Sequence, residues 1–354
     1  MQDVYEDPTL WEPFLDQLTL EELTLLVTAG GYKTAGIERL GIPQTADNDG
    51  PASIKGRYGV TFKDTGAAYP CATALACTFN DELAYEMGQS VAREAAYIGT
   101  DIWYAPGGNI HRNPRGGRNF EYFSEDPLLA GKMSAKLIAG AKAGGLLTTI
   151  KHYALNDQEQ NRMGVYTWAD EQTMREIYLK AFEIAFKEGG GNGVMTGFNR
   201  LGPVWCGASA ALNKELLREE WGFEGFVVSD FALNFTGFGY MNPALAVYGG
   251  NDTMLTGLYP LQKFQYTASI KYAYTRDPVG FGRALRESAK NICLAKMQTR
   301  AFLDPQDLPE DSLIDNLAPP SDWDFFDSAL SPLLYLLNNI AGLGIYFLRN
   351  ILGL

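Results

Sequence analysis

The chain is poor in the residues that build metal and redox centres. Its 354 residues include only two histidines, His111 and His152, far apart in sequence, and four scattered cysteines, Cys71, Cys77, Cys206 and Cys293, none in a CxxC pair. That scatter argues against a zinc site and a disulfide framework, so no metal and no cofactor is expected and the cysteines read as small buried residues. Positive charge is also short, with 29 Lys and Arg against 42 Asp and Glu and a net charge of -13. Nucleic-acid phosphates need clustered cations, so no nucleic-acid partner is expected and a neutral or cationic ligand fits better. The start, MQDVYEDPTL, has neither the basic patch nor the apolar core of a signal peptide. PGGNIHRNPRGGRN (106–119) lacks the GxGxxG spacing of a dinucleotide-binding turn.

What is present is a large apolar complement, 46% hydrophobic and 12% aromatic, enough for a substantial core. A capping box, Thr19 with Glu22, opens a helix that Gly30 and Gly31 end. Short apolar runs then alternate with helical patterns. The runs are TADND (45–49), TALACTF (73–79), IWYAP (102–106), LLTTIKHY (146–153), GVMTGF (193–198), FVVSDF (226–231) and NDTML (251–255). Helices are predicted over 81–98, 127–143, 170–188, 212–220 and 280–298, the first capped by Asn80 and the second starting at Pro127. Strand and helix alternating in this way imply an α/β fold with a parallel sheet, read as a TIM-like (β/α)8 barrel. Seven strands are counted, so either the eighth hides in 259–276 or the barrel is incomplete. Residues 1–300 form this unit, 301–328 a linker and 329–354 a hydrophobic helical tail.

From Ala329 to Leu348 no charge occurs, a length able to cross a bilayer, although Asn338, Asn339, Gly342 and Gly344 weaken that reading. The tail is thus a candidate membrane anchor, with an amphipathic docking helix as the alternative. Asp322, Asp324 and Asp327 before it and Arg349 after it favour a cytoplasmic C-terminal end. Without insertion of 329–348, a cytoplasmic location is the reading that remains.

Polar residues collect where the strands end: Asp49, Asn109, Lys151, His152, Asn199, Asp230 and Asn251. In a parallel barrel that edge holds the active site. Asp230 closes the buried run FVVS, where a carboxylate is costly unless bonded or paired; it is either a turn aspartate or a nucleophile. Retaining hydrolysis of a glycosidic bond needs such a nucleophile together with an acid/base. Lys151, His152, Arg118 and Arg162 are the candidates for keeping Asp230 ionised and binding hydroxyls. Each has a plainer reading. Lys151 could be a Schiff-base lysine, His152 a core histidine, and the arginines surface partners of Glu121 and Glu159. Lys151 and His152 face opposite ways on an ideal strand, so only a bend or bulge brings both to one site.

Several segments together resemble the catalytic barrel of glycoside hydrolase family 3, in its β-glucosidase branch. They are DNDGP (47–51), PGGNIHRNPRGGRNFEYFSEDP (106–127), KHYALNDQEQNR (151–162), DEQTMREIYLKAFE (170–183), VMTGFNRLG (194–202) and EEWGFEGFVVSDF (219–231). The resemblance covers roughly 19–298. It implies that Asp230 is the catalytic nucleophile and that Asp49, Arg118, Lys151, His152 and Arg162 hold the hydroxyls of the first sugar. Met195 and Phe198 would form its wall, with Phe231 beside the nucleophile. Phe198 stands where the family often has Tyr, and Phe231 where Trp is common. The implied activity is retaining, exo-acting release of terminal β-D-glucose from β-glucosides or β-glucan oligosaccharides. The alternatives are a non-catalytic carbohydrate-binding barrel and a β-xylosidase. The family's acid/base is commonly a glutamate on an α/β sandwich domain. Here that domain or a second chain is the expected source, since Glu121, Glu125 and Glu159 offer no clear candidate. The chain is accordingly read as a fragment, a split product or a barrel-only form. The cationic cluster is expected to hold the Asp230 pKa low.

Overall fold

A computed structural model describes residues 1–54, 66–232, 239–256 and 261–303. Short parallel strands follow one another across the sheet in chain order. Strands β1 (Asp47–Asp49), β2 (Ile102–Tyr104) and β3 (Leu147–Thr148) form one ladder, in which Asp49 lies opposite Tyr104 and Ile102 opposite Leu147. After Thr149 the chain resumes as β4 (Ile150–Tyr153). A small outer sheet is made by β5 (Tyr166–Thr167), β7 (Arg200–Leu201) and β8 (Val204–Trp205). The second inner ladder runs from β4 to β6 (Gly193–Thr196) and on to β9 (Phe226–Ser229). A parallel bridge from Val228 to Thr253 extends it by one position. Every residue of β2, β4, β6 and β9 is buried, which is why these runs are continuously apolar or end in polar groups with partners.

The outermost positions both bond to the N-terminal segment. Met254 N–H donates to the Val27 carbonyl (3.0 Å), and Asp47 N–H donates to that of Tyr32 (3.0 Å). Val27 is in the last turn of the helix Leu20–Thr28 and Tyr32 lies just beyond it; the helix's capping box of Thr19 and Glu22 forms as predicted.

Helices Asp81–Ile98 and Pro127–Ala143 keep their predicted limits because their start signals are local: the Asn80 side chain caps one, and Asp126 with Pro127 opens the other. They cross where glycines remove side chains. A Cβ on Gly88 would strike the Leu137 carbonyl, and one on Gly140 that of Tyr85. The helix predicted over 170–188 is split, with a π turn at Met174–Tyr178 before Lys180–Lys187, and Ala211–Glu220 is also wound as a π-helix.

One predicted strand is a helix. TALACTF overlaps the helix Ala72–Ala76, where alanine-rich sequence favours a helix that buries Leu75 and Ala76. Of the segment 259–276, offered as one place for an eighth strand, residues Leu261–Arg276 are a helix. Tyr266 and Ile270 are buried one turn apart, while Phe264 and Tyr272 are exposed, and aromatics on both faces blur the helical period. Of the cysteines, Cys206 and Cys293 are buried, Cys71 is half-buried and Cys77 is exposed. The linker from 304 on and the tail 329–354 lie outside the described residues, among which no helix is long and apolar enough to cross a membrane.

Candidate active site

Asp230 follows β9 at its C-terminal end, with its backbone N–H donating to the Thr196 carbonyl at the end of β6 (3.1 Å). It is 7% exposed. One carboxylate oxygen, Oδ1, accepts the Phe231 N–H (2.7 Å). The other, Oδ2, is buried and has no hydrogen-bond partner among the described residues; His152 Nε2 stands 3.6 Å away.

Lys151 and His152 reach the same site because β4 is irregular. The pairing register against β6 shifts between Lys151 and Tyr153, breaking the alternation that would separate the two side chains. The backbone of His152 is clamped by Asn109, whose Oδ1 accepts its N–H (2.6 Å) and whose Nδ2 donates to its carbonyl (3.0 Å). On the ring, Nδ1 lies 3.1 Å from the Tyr122 hydroxyl. Lys151, 2% exposed, pairs with Asp49 Oδ1, which also accepts the Gly50 N–H (2.8 Å).

Arg118 and Arg162 stand in the same region, each paired with the glutamate the sequence suggested. Arg118 bonds Glu121 through two nitrogens (3.1 and 2.7 Å), and Arg162 donates to Glu159 (2.8 Å). The pairs are not at the surface, however. Their charges act on Asp230, and Arg118 also stands 4.0 Å from Glu159. The Arg162 guanidinium lies 4.8 Å over the ring of Phe198. Met195, on β6, packs with Tyr104 and Val228, and Phe231 lies against the same cluster. All nine residues singled out in the sequence therefore lie in this region of the fold.

The electrostatics differ from expectation in two ways. Burial raises the Asp230 carboxyl above its ordinary value, and the pull of Arg162, Arg118 and Lys151 does not cancel it. These cations are themselves partnered, by Glu159, Glu121 and Asp49. His152 is not a cation at all: burial, then Arg118, Lys151 and Arg162, hold it well below the usual imidazole range. It is a neutral ring. If Tyr122 donates to Nδ1, the ring hydrogen sits on Nε2, facing Asp230. For Asp49 burial is the largest influence, but Lys151, the Gly50 N–H and Arg118 outweigh it and leave the carboxyl lowered. Glu159 is raised by burial and by its proximity to Asp230 and Glu121, against Arg162 and Arg118.

The role of Asn109 as a clamp, the Tyr122 contact and the buried amide of Asn156, neither of whose polar atoms is bonded, were not legible in the sequence. All three belong to quoted motifs, so their segments carried the signal but their contacts did not.

The family model for the "Glycosyl hydrolase family 3 N terminal domain" matches residues 30–250. Beta-glucosidase A of Butyrivibrio fibrisolvens is 39% identical over 259 residues, covering 71% of this chain and 30% of that protein. Beta-glucosidase B of Emericella nidulans is 35% identical over 336 residues, covering 94% and 38% respectively. Among solved structures, beta-glucosidase 3B from Thermotoga neapolitana in complex with glucose matches with a TM-score of 0.75 and 34% identity, over 86% of this chain and 44% of that one. The chain thus spans less than half the length of each of these relatives. It has an α/β fold and belongs to glycosyl hydrolase family 3, to whose N-terminal domain its sequence corresponds.

Proposed function

We propose that this chain carries the nucleophile and first sugar subsite of a retaining, exo-acting β-glucosidase. The observation that carries the reading is Asp230 Oδ2, a buried carboxylate oxygen without a hydrogen-bond partner among the described residues, beside a neutral histidine and within the field of three cations. An oxygen so placed is free to form a bond. Oδ2 attacks the anomeric carbon, the bond from that carbon to the leaving oxygen breaks, and the leaving oxygen takes a proton from an acid/base. Water then attacks the same carbon and returns a proton to the acid/base, and the ester to Asp230 breaks. Asp49, Lys151, Arg118, His152 and Arg162 bind the hydroxyls of the terminal glucose, with Met195, Phe198 and Phe231 as walls. The pairing of Glu121 with Arg118 and of Glu159 with Arg162 suits them to holding arginines rather than donating protons. The proton donor is then supplied by an α/β sandwich domain or by a second chain. We further read the parallel strands as a TIM-like barrel whose ring is completed by the N-terminal segment that bonds to both outer positions.

The test uses an aryl 2-deoxy-2-fluoro-β-glucoside, whose good leaving group needs little protonation. Mass spectrometry is expected to find one fluoroglucosyl adduct on the peptide containing Asp230. No adduct, with glucose still bound, would favour a carbohydrate-binding barrel without turnover.

A further inference from the structure

Beside the site, the outer sheet carries an exposed row of rings. Tyr166 and Trp168 are two residues apart on and just beyond β5, and they are 56% and 73% exposed. Leaving this much aromatic surface in water is unfavourable, and such surface commonly marks a binding site. These side chains are seated rather than loose. A Cβ on Gly202, at the β7 to β8 turn, would lie 3.3 Å from the Trp168 ring, so the absence of a side chain lets the ring rest on that turn. The Arg200 guanidinium is stacked between two rings, 4.7 Å from the centre of Tyr166 and 4.6 Å from that of Tyr240. It also donates to the Gly164 carbonyl (3.0 Å). Among the described residues it has no carboxylate partner.

The row is continuous with the site. Tyr240 donates its hydroxyl hydrogen to the Phe198 carbonyl (2.9 Å), Phe198 lies beneath Arg162, and Tyr240 is close enough to Asp230 to feel its charge. Flat aromatic faces match the C–H faces of pyranose rings, and a guanidinium held at their edge can donate to hydroxyls.

We propose that Trp168, Tyr166 and Arg200 form a platform for the further sugar units of a β-linked gluco-oligosaccharide whose terminal glucose occupies the pocket at Asp230. This assignment rests on the reading given under Proposed function. It makes the chain a binder of oligosaccharides in preference to single glucose units. The platform's position next to the site, and not its apolarity alone, selects this occupant.

Isothermal titration of the whole chain with glucose, and then with sulfur-linked cellobiose and cellotriose analogues that resist hydrolysis, tests it. The analogues are expected to bind about 3- to 10-fold more tightly than glucose. In Trp168→Ala that gain should largely vanish while glucose affinity stays the same, and Tyr166→Ala should lose a smaller part of it. Melting temperatures confirm that the variants fold. A gain undiminished in both variants, or no gain in the unaltered chain, would overturn the platform while leaving the glucose pocket standing. If glucose itself failed to bind, the proposed function would fall and the platform with it.

Discussion

Asp230 and Asp252 are both buried aspartates at the edge of the same parallel ladder, and they are put to opposite uses. Asp252 is fully partnered: Oδ2 accepts from Arg218 and from the Val227 N–H (both 2.7 Å), and Oδ1 accepts from Asn291 (2.9 Å). Its pKa is pushed up to about 6 by burial, against the pull of Arg218 and those hydrogen bonds. Asp230 is raised by burial too, yet one of its oxygens has no hydrogen-bond partner among the described residues. Burial and a shifted pKa therefore do not separate a structural carboxylate from a reactive one. Between these two aspartates, the free oxygen does. Two cations that could have bonded Asp230, Arg118 and Arg162, are held by glutamates, which leaves Oδ2 open to a substrate atom.

The sharpest way to break this contrast is Asp230→Ala. Formation of the fluoroglucosyl adduct should fall by about 10³-fold or more. The melting temperature should hold or rise, because a buried and incompletely bonded carboxylate is removed. Adduct formation at the original rate would place the nucleophile elsewhere.

At Asp252 the same logic predicts damage to stability and none to the site. Arg218→Met leaves that carboxylate buried without its charge partner, at a cost of about 3–5 kcal/mol in unfolding free energy. Urea denaturation measures this, and glucose titration should be unchanged. A loss below about 1 kcal/mol, the size of a surface pair, would remove the distinction between the two aspartates.

A smaller effect concerns pH. A protonated Asp230 cannot attack, so the trapping rate should fall as pH drops, with its midpoint above the ordinary carboxyl value of 3.8 because the carboxyl is raised. Arg162 exerts the largest opposing charge effect, so Arg162→Met should move the midpoint further up. A midpoint that stayed in place, measured as trapping rate against pH, would show that Arg162 acts through position alone.

These two aspartates also mark what could be read without a structure. The placement of Asp230 followed from a buried run that ends in a carboxylate, and helix limits followed from Asn80 and Pro127, because both signals lie within a few residues. The same-side arrangement of Lys151 and His152 needed a register shift that depends on the neighbouring strand. The raised Asp230 carboxyl followed from its burial, and the neutral His152 from burial together with the nearby Arg118, Lys151 and Arg162, facts of packing that no single segment carries. Ala72–Ala76 was misread and Leu261–Arg276 left ambiguous because short apolar or two-faced aromatic stretches obscure the period, and packing decides.

The bonds from Val27 to Met254 and from Tyr32 to Asp47 carry a consequence for the growing polypeptide. Residues near 27 leave the ribosome well before their partner near 254 is made. Until then the 251–254 edge does not exist and the N-terminal segment is tied on one side only. Unpaired strand positions can pair with other chains, so this interval is when a nascent copy is most exposed to misassembly. A chaperone that covers the first strands would have its greatest effect before residue 254 emerges.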